Sequence, residues 1–512
     1  MDAFIQRHEK DVIGVLSGFD RMRFRGTLRS ICYAEGMDRF LGRVNVRYKE
    51  FKEFALGLSE GLVAHARQVA QQAGRPFEYV ASSHADKQAV AQRIAARDGI
   101  NEGLVCVLRC LESCQSFAIR QDGQGGFRFR PEERRCLYLY YYYLDREFGL
   151  MHVRLATWLP FGIQVCLNGR EYLARRMRKA GIAFEQRDNC FVWIEDPARA
   201  QQMMQDLEER HWERWLKALS LRVNPLLGEN SGLDLHPYYW SVSESEYATD
   251  VMFRDTAALQ RVYPALVNHA IRRFDSQEVL RFLGRRTNCR FDGEVATSYL
   301  VRPEGVRVRH WLQENSIKMY DKQGSVLRIE TTINNARRFT VRRMTVWKGV
   351  RRLRWVRMRH GVVDLARRVE VSRAANARYL EALAVVEVPS PAHVLLDPVS
   401  RAVRKHQRPY RGLRPVSSAE AAVFAAVLQG GFHLKGFTNR DLRERVEPRP
   451  STNLQERRRA SARTTRELRL LRAHGLIHKI SGTRYYRVTP KGQQIMTAAL
   501  KLREADVANL VA

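Results

Sequence analysis

The sequence predicts a multidomain α+β protein, and three observations lead there. Helical and extended patterns alternate over residues 1–216, which marks a mixed α/β N-terminal domain. Within residues 217–387, two period-two segments flank the turn signal Asp321-Lys322-Gln323-Gly324, predicting a central α+β domain with an antiparallel sheet. Behind a basic, Pro-containing linker at 388–417, residues 418–512 read helix, helix, helix, two-stranded hairpin, helix. A chain of 512 residues accommodates domains of this number and size.

In the N-terminal domain, Asp11–Phe19 is a buried-strand pattern and Arg21–Gly26 continues it with a basic face, leaving Asp20 at a turn between them. Helices are expected over Tyr48–Ala73 and His84–Asp98, with strands at Pro76–Val80 and Leu104–Leu111. The segment Cys136–Leu144, CLYLYYYYL, is the most conspicuous strand, and Gly149–Trp158 is its partner. Alternation puts Tyr138, Tyr140 and Tyr142 on one face and Tyr141 and Tyr143 on the other, so one face is core and the other is core or a base-stacking platform. A basic helix at Asn168–Ala180, a strand at Phe191–Ile194 and a helix at Ala198–Leu207 behind Asp196-Pro197 complete the domain.

The central domain opens with an aromatic loop, Gly228–Tyr247, then a strand to Phe253 and helices at Ala257–Phe274 and Gln277–Leu283. His236, Glu244, Glu246 and Asp250 are ligand types in this stretch, without a spacing that brings them together. Ser316–Tyr320 and Ser325–Thr331 form a hairpin on which Lys318, Tyr320 and Lys322 share a face of one strand, and Arg328 and Glu330 a face of the other. From Arg337 to Arg378 fourteen basic residues, among them Arg342, Arg343, Arg351, Arg352 and Arg354, stand against the two acidic residues Asp364 and Glu370. Such a run repels itself unless phosphates or counterions screen it.

The whole chain carries Lys+Arg 87 against Asp+Glu 55, a formal charge of +32, which points to a polyanionic partner, nucleic acid first and an acidic membrane surface a distant second; DNA is the expected nucleic acid, with RNA as the other option. No run reaches the length of a membrane helix and the N-terminus is too polar for a signal peptide, so a cytoplasmic protein with no membrane partner is expected. The eight cysteines include no C-x-x-C pair and read as reduced thiols.

Two stretches resemble known families. K-x-Y-D-K followed by L-R-I-E (Lys318 to Glu330) resembles the hairpin of rolling-circle replication-initiation proteins. The resemblance implies Tyr320 as the nucleophile on a phosphodiester, Lys322 steadying the phosphate, and Glu330 holding a divalent metal, Mg or Mn. The His-x-His metal mark of most such enzymes is missing from the sequence. The plain reading of the same hairpin has Lys318 and Arg328 on phosphates without chemistry. Separately, a strand ending in an acid, as at Asp20, is similar to the opening of RNase H-type nucleases, where that carboxylate holds magnesium; Asp is equally a common turn residue.

At the C-terminus, Ser418 is a candidate cap for a helix at Ala419–Leu428, and Gly475 ends a helix at Ser461–His474. The run from Leu471 to Gly492, L-R-x-H-G-L-I-x-x-I-x-G-T-x-Y-Y-x-V-T-x-K-G, is similar to MarR-like winged helix-turn-helix domains. That likeness implies that Arg463, Thr464, Thr465, Arg466 and Arg469 face DNA and that Arg484 sits on the wing. A basic insert, Glu447–Ala460 with Arg457, Arg458 and Arg459, lengthens the turn before this helix. The expectation is a DNA-binding protein of a mobile element or replicon, with metal-dependent nicking or strand transfer by Tyr320 as its strong form and a homodimer as an open option. The alternative is a non-catalytic transcriptional regulator or RNA-binding protein.

Overall fold

The computed structural model describes residues 1–123, 125–284, 294–302, 305–347, 349–386, 392–405, 407–428, 432, 436–446 and 453–504. The chain is mixed α and β and forms two compact units. Unit 1 comprises Met1–Pro264, Tyr299–Arg309 and Glu314–Tyr379, and unit 2 comprises Ala265–Ser298, His310–Gln313 and Leu380–Ala512. Among the described residues no helix is long and apolar enough to cross a membrane.

The large sheet is built from two topologically similar halves. After α1 (Asp2–Arg7), the first half begins with β1 (Val12–Thr27) and passes through α2 (Ala34–Arg43), α3 (Phe51–Gln72), β2 (Phe77–Val80) and α4 (Lys87–Arg97). A meander of β3 (Gly103–Gln121), β4 (Phe127–Asp145), β5 (Gly149–Ala156) and β6 (Ile163–Asn168) then returns antiparallel to β1. Next come α5 (Gly169–Lys179), the hairpin of β7 (Phe184–Arg187) and β8 (Cys190–Ile194), α6 (Pro197–Glu208) and α7 (Trp212–Val223).

The second half repeats the plan with β9 (Tyr239–Phe253), α8 (Thr256–Arg272), α9 (Ser276–Phe282) and the strands β10 (Val295–Arg302), β11 (Gly305–Leu312), β12 (Asn315–Lys322) and β13 (Val326–Ile333). Here β13 returns antiparallel to β9. The strand order is β10-β11-β12-β13-β9-β1-β6-β5-β4-β3-β2, so β13 flanks β9 as β6 flanks β1 across the antiparallel β1–β9 pair, and β2 is an additional edge strand of the first half, parallel to β3. A separate ribbon of β14 (Thr340–Trp347) and β15 (Val350–Arg357) precedes α10 (Leu365–Leu383).

Local sequence accounts for many of these elements. Asn168 caps α5 by accepting hydrogen bonds from the Arg170 and Glu171 amides, and Asp196 caps α6 by accepting from Arg199. The predicted boundary near residue 216 falls inside unit 1, where strands from both sides of it pair through β1 and β9. Asp20 lies within the continuous strand β1 rather than at a turn, at a register shift between Phe19 and Met22. All five tyrosines from Tyr138 to Tyr143 are buried, so neither face of β4 offers a platform for bases. Of the cysteines, Cys289 falls outside the described residues, and the other seven are free thiols.

Unit 2 carries the predicted C-terminal order. After α11 (Ala392–Ser400), β16 (Val403–Lys405) and β17 (Arg408–Tyr410) come α12 (Ser418–Val427), α13 (Asn439–Val446), α14 (Leu454–Ala473), the hairpin β18 (Ile477–Lys479) and β19 (Tyr486–Val488), and α15 (Pro490–Glu504). Ser417, not Ser418, caps α12. Phe437 forms a bridge to Tyr486, adding a third partner to the hairpin. The core here includes Phe424, Phe437, Leu468, Leu471, Ile477 and Met496.

Two features depart from expectation. The stretch read as a linker holds α11 and the β16–β17 hairpin, and its Val399 and Leu413 are buried; three-residue strands carry no periodicity to read. Of the basic insert, residues 447–452 lie outside the described residues, while Leu454–Ala460 extends α14 backward from Ser461 behind the cap Asn453. Leu-Gln-Glu-Arg-Arg-Arg-Ala is a run of strong helix formers, so the helix does not wait for Ser461.

Candidate functional site

The residues singled out on the predicted hairpin do meet, but in the interior of unit 1. Antiparallel pairing sets Lys318 opposite Glu330 and Tyr320 opposite Arg328, and β13 in turn sets Arg328 opposite Asp250 of β9. Side chains directly opposite share a face, so β12, β13 and β9 gather Lys318, Tyr320, Arg328, Glu330, Glu246 and Asp250 together. One residue out of phase, Thr331 and Thr249 bond Asn376 of α10 instead. The irregular register of β1 adds Asp20.

Arg328 organises the cluster. It is fully buried, and its guanidinium donates to Asp250 through Nε at 2.6 Å and Nη2 at 2.9 Å, to Asp20 through Nη1 at 2.8 Å and to the Asn189 carbonyl at 3.0 Å. Such a fork matches a carboxylate in two places at once. Arg170 supports it from α5, with Nη2 3.0 Å from Asp250 and 3.2 Å from the Ala248 carbonyl. Gly169 makes that approach feasible, because a Cβ there would stand 2.2 Å from the Phe19 carbonyl oxygen.

Lys318 holds the other end, as its ammonium pairs with Glu330 and lies 3.5 Å from Glu246. The Tyr320 hydroxyl donates to Glu330 Oε2 at 2.7 Å. Lys322, further along β12, pairs with Asp188 at 2.9 Å. The expectation that Lys318 and Arg328 stand exposed to phosphates does not match their positions: both are buried and neutralise buried carboxylates.

Four carboxylates (Asp20, Glu246, Asp250, Glu330) face the cations Lys318, Arg328 and Arg170, and Arg21 of β1 also acts on Glu246. Burial raises Asp20 above the usual carboxylate range, Arg328 pulls it back, and Glu330 pushes it up again. Burial and then Glu330 likewise raise Glu246. Burial would raise Glu330 too, yet Lys318, Arg328 and the Tyr320 hydrogen bond hold it below the ordinary value. Tyr320 is driven well above an ordinary phenol, first by burial and then by Glu330.

Oxygen atoms of Asp20, Glu246 and Glu330 all lie within 4.8 Å of one another. Three hard oxygen donors suit Mg or Mn. Lys318 and Arg328 already contact the same carboxylates, so an ion would compete with them. Sequence reasoning named Glu330 and separately singled out Asp20 and Glu246; strand pairing across more than 200 residues is what joins them. The other ligand types stay apart from this group: Glu244 pairs with Arg23 at 2.9 Å and His236 is exposed.

The basic residues assigned to nucleic acid lie elsewhere. On α14, Arg457, Arg458, Arg463, Arg466 and Arg469 are exposed, as is Arg484 in the β18–β19 turn. Thr464 is buried, and Thr465 donates to the Ser461 carbonyl and accepts from Asn439. Helical periodicity turns Thr464, with Leu468 and Leu471, toward the core. On the ribbon Arg342, Arg351, Arg352 and Arg354 are exposed, whereas Arg343 pairs with Asp364 at 3.0 Å. No protein-family model matches the chain, and neither does a curated protein or a solved structure.

Proposed function

We propose that the protein binds nucleic acid, with DNA as the partner, and that the terminal part of unit 2 is a winged-helix reader with α14 as its recognition helix. The observation that carries this is the division of α14. Leu468 and Leu471 are buried in the core, while Arg457, Arg458, Arg459, Arg466 and Arg469 are exposed and, among the described residues, have no acidic partner. Arginines left unpaired along a helix, with Arg484 on the adjoining hairpin, suit a row of phosphates and guanine edges.

The carboxylate cluster supports metal-dependent strand chemistry as a further part of this reading. Asp20, Glu246 and Glu330 would hold Mg or Mn, which when bound supplies a Lewis acid beside a phosphodiester. The Tyr320 hydroxyl donates to Glu330; in the proposed step the phenol would give up that proton as its oxygen bonds to phosphorus, and the P–O bond to the departing end of the strand would break, releasing a strand hydroxyl. The alternative, a non-catalytic regulator or RNA-binding protein, is favoured by the internal ion pairs that neutralise the same carboxylates.

Fluorescence anisotropy with labelled DNA and RNA duplexes, titrated with salt, tests the reading. Binding should weaken steeply with salt, and Arg459→Glu with Arg466→Glu should flatten that slope. Binding indifferent to salt would refute it. Incubation of supercoiled DNA with Mg or Mn then separates the two forms: nicking that Tyr320→Phe and Asp20→Asn abolish supports the catalytic one.

A further inference from the structure

The ribbon β14–β15 has an open face that neither the sheet nor the carboxylate cluster uses. Its strands pair without interruption from Thr340 opposite Arg357 to Trp347 opposite Val350. By that register Arg342, Met344 and Val346 share a face with Arg351, Leu353, Trp355 and Arg357. On the opposite face Val341 is buried and Arg343 pairs with Asp364 at the base of the ribbon, while Val350, Arg352 and Arg354 are exposed further along it. The first face stands open: Met344, Val346, Leu353 and Trp355 are 57%, 67%, 51% and 67% exposed.

Four neighbouring apolar side chains held out on a paired ribbon indicate a surface that something covers. Charge selects the occupant. Residues 340–357 contain six arginines and no acid. A second copy of the ribbon would set like charges against each other, whereas a polyanion with apolar groups in its interior satisfies both the arginines and the apolar stripe. The major groove of B-form DNA offers that combination. It admits a two-stranded β-ribbon and displays thymine methyl groups between its phosphate walls. The major groove of A-form RNA is deep and narrow and excludes such a ribbon.

We infer that the ribbon lies in the major groove of duplex DNA, with Met344, Val346, Leu353 and Trp355 against thymine methyls and Arg342, Arg351 and Arg357 on the flanking phosphates. Eight residues per strand at about 3.4 Å each span roughly 27 Å, or about eight base pairs. Arg342 lies 6.0 Å from the Trp355 ring centroid, which keeps the ring beside a cation at the edge of the apolar stripe. This inference rests on the proposed nucleic-acid binding and adds the groove, the kind of duplex and the base feature read.

The test compares an alternating A·T DNA duplex with the same duplex carrying uracil in place of thymine, which deletes only the methyl groups. An RNA duplex serves as competitor. Wild-type protein should bind the uracil duplex at least about threefold more weakly, the scale of one buried methyl, and the RNA should compete poorly. A Met344→Ala, Leu353→Ala, Trp355→Ala variant alters exposed side chains and should fold normally, yet lose the thymine preference. Equal affinity of the wild type for both DNA duplexes, or a preference that survives in the variant, overturns the inference while leaving salt-dependent binding intact. Absence of salt-dependent binding to any duplex overturns the parent reading instead. Self-association in sedimentation, or partition onto phosphatidylserine vesicles, that the variant abolishes would assign the face to a second copy or to lipid and overturn it as well.

Discussion

Arg328→Met is the sharpest perturbation available in unit 1. The guanidinium is fully buried and makes three hydrogen bonds to the carboxylates of Asp20 and Asp250. Methionine restores much of the volume and none of the charge, so two buried carboxylates lose their main partner. Breaking a buried pair from one side generally costs about 3–5 kcal/mol, and Arg170, which still touches Asp250, places the expected loss near 4 kcal/mol. Domains are commonly stable by about 5–15 kcal/mol, so the variant should remain folded in mild conditions.

The loss should also depend on pH. With Arg328 gone, burial and Glu330 push Asp20 further above its ordinary value. The folded variant then binds a proton that the unfolded chain has released, so its stability falls as pH rises above the carboxylate range. Urea denaturation followed by tryptophan fluorescence, at about pH 7.5 and about pH 5, should show the larger deficit at the higher pH. Adding Asp20→Asn and Asp250→Asn should recover most of it, since the buried charges go together. A deficit under about 1 kcal/mol, or one unchanged between the two pH values, would refute the view that Arg328 neutralises these acids.

Other outcomes follow from the same geometry. Gly169→Ala should destabilise unit 1 by about 1–3 kcal/mol in the same melt, because its Cβ would stand 2.2 Å from the Phe19 carbonyl oxygen. Tyr320→Phe removes a 2.7 Å donor from Glu330 and should cost about 1.5–3 kcal/mol even where no nicking is detected; an unchanged melt would contradict that hydrogen bond. His310 in unit 2 is fully buried, and burial pushes its pKa down from 6.5 to about 4. The unfolded imidazole takes up a proton below 6.5 while the folded one resists until about 4, so unit 2 should lose up to about 3 kcal/mol across that window on acidification. His310→Gln should remove the His310 share of that slope, while His269 of the same unit, which burial also lowers to about 4, keeps its own.

Most individual elements were legible because their determinants are local. Asn168 and Asp196 announce helix starts, and the period-two runs around Asp321–Gly324 already set Lys318 and Tyr320 on one strand and Arg328 and Glu330 on the next. Tyr138 to Tyr143 identified a strand but not its surroundings, since alternation cannot tell whether one face or both are covered. The charge surplus is visible in any order of the residues, but which arginines are free is not. Arg328 and Arg457 look alike in sequence, and one is sealed among carboxylates while the other is exposed.

By itself, then, the sequence determined the local repertoire: the strands and helices, the hairpin that aligns Tyr320 with its neighbours, and the excess of cations. Only the tertiary structure decided that β1 and β9 pair, joining two halves of one sheet and carrying Asp20 to Glu246 and Glu330. The physical reason is range. Caps, turns and periodicity act over a few residues, whereas the pairing of Phe19 with Tyr247 is selected by the burial of whole sheet faces, and a buried charge is tolerated only once its distant partner has arrived.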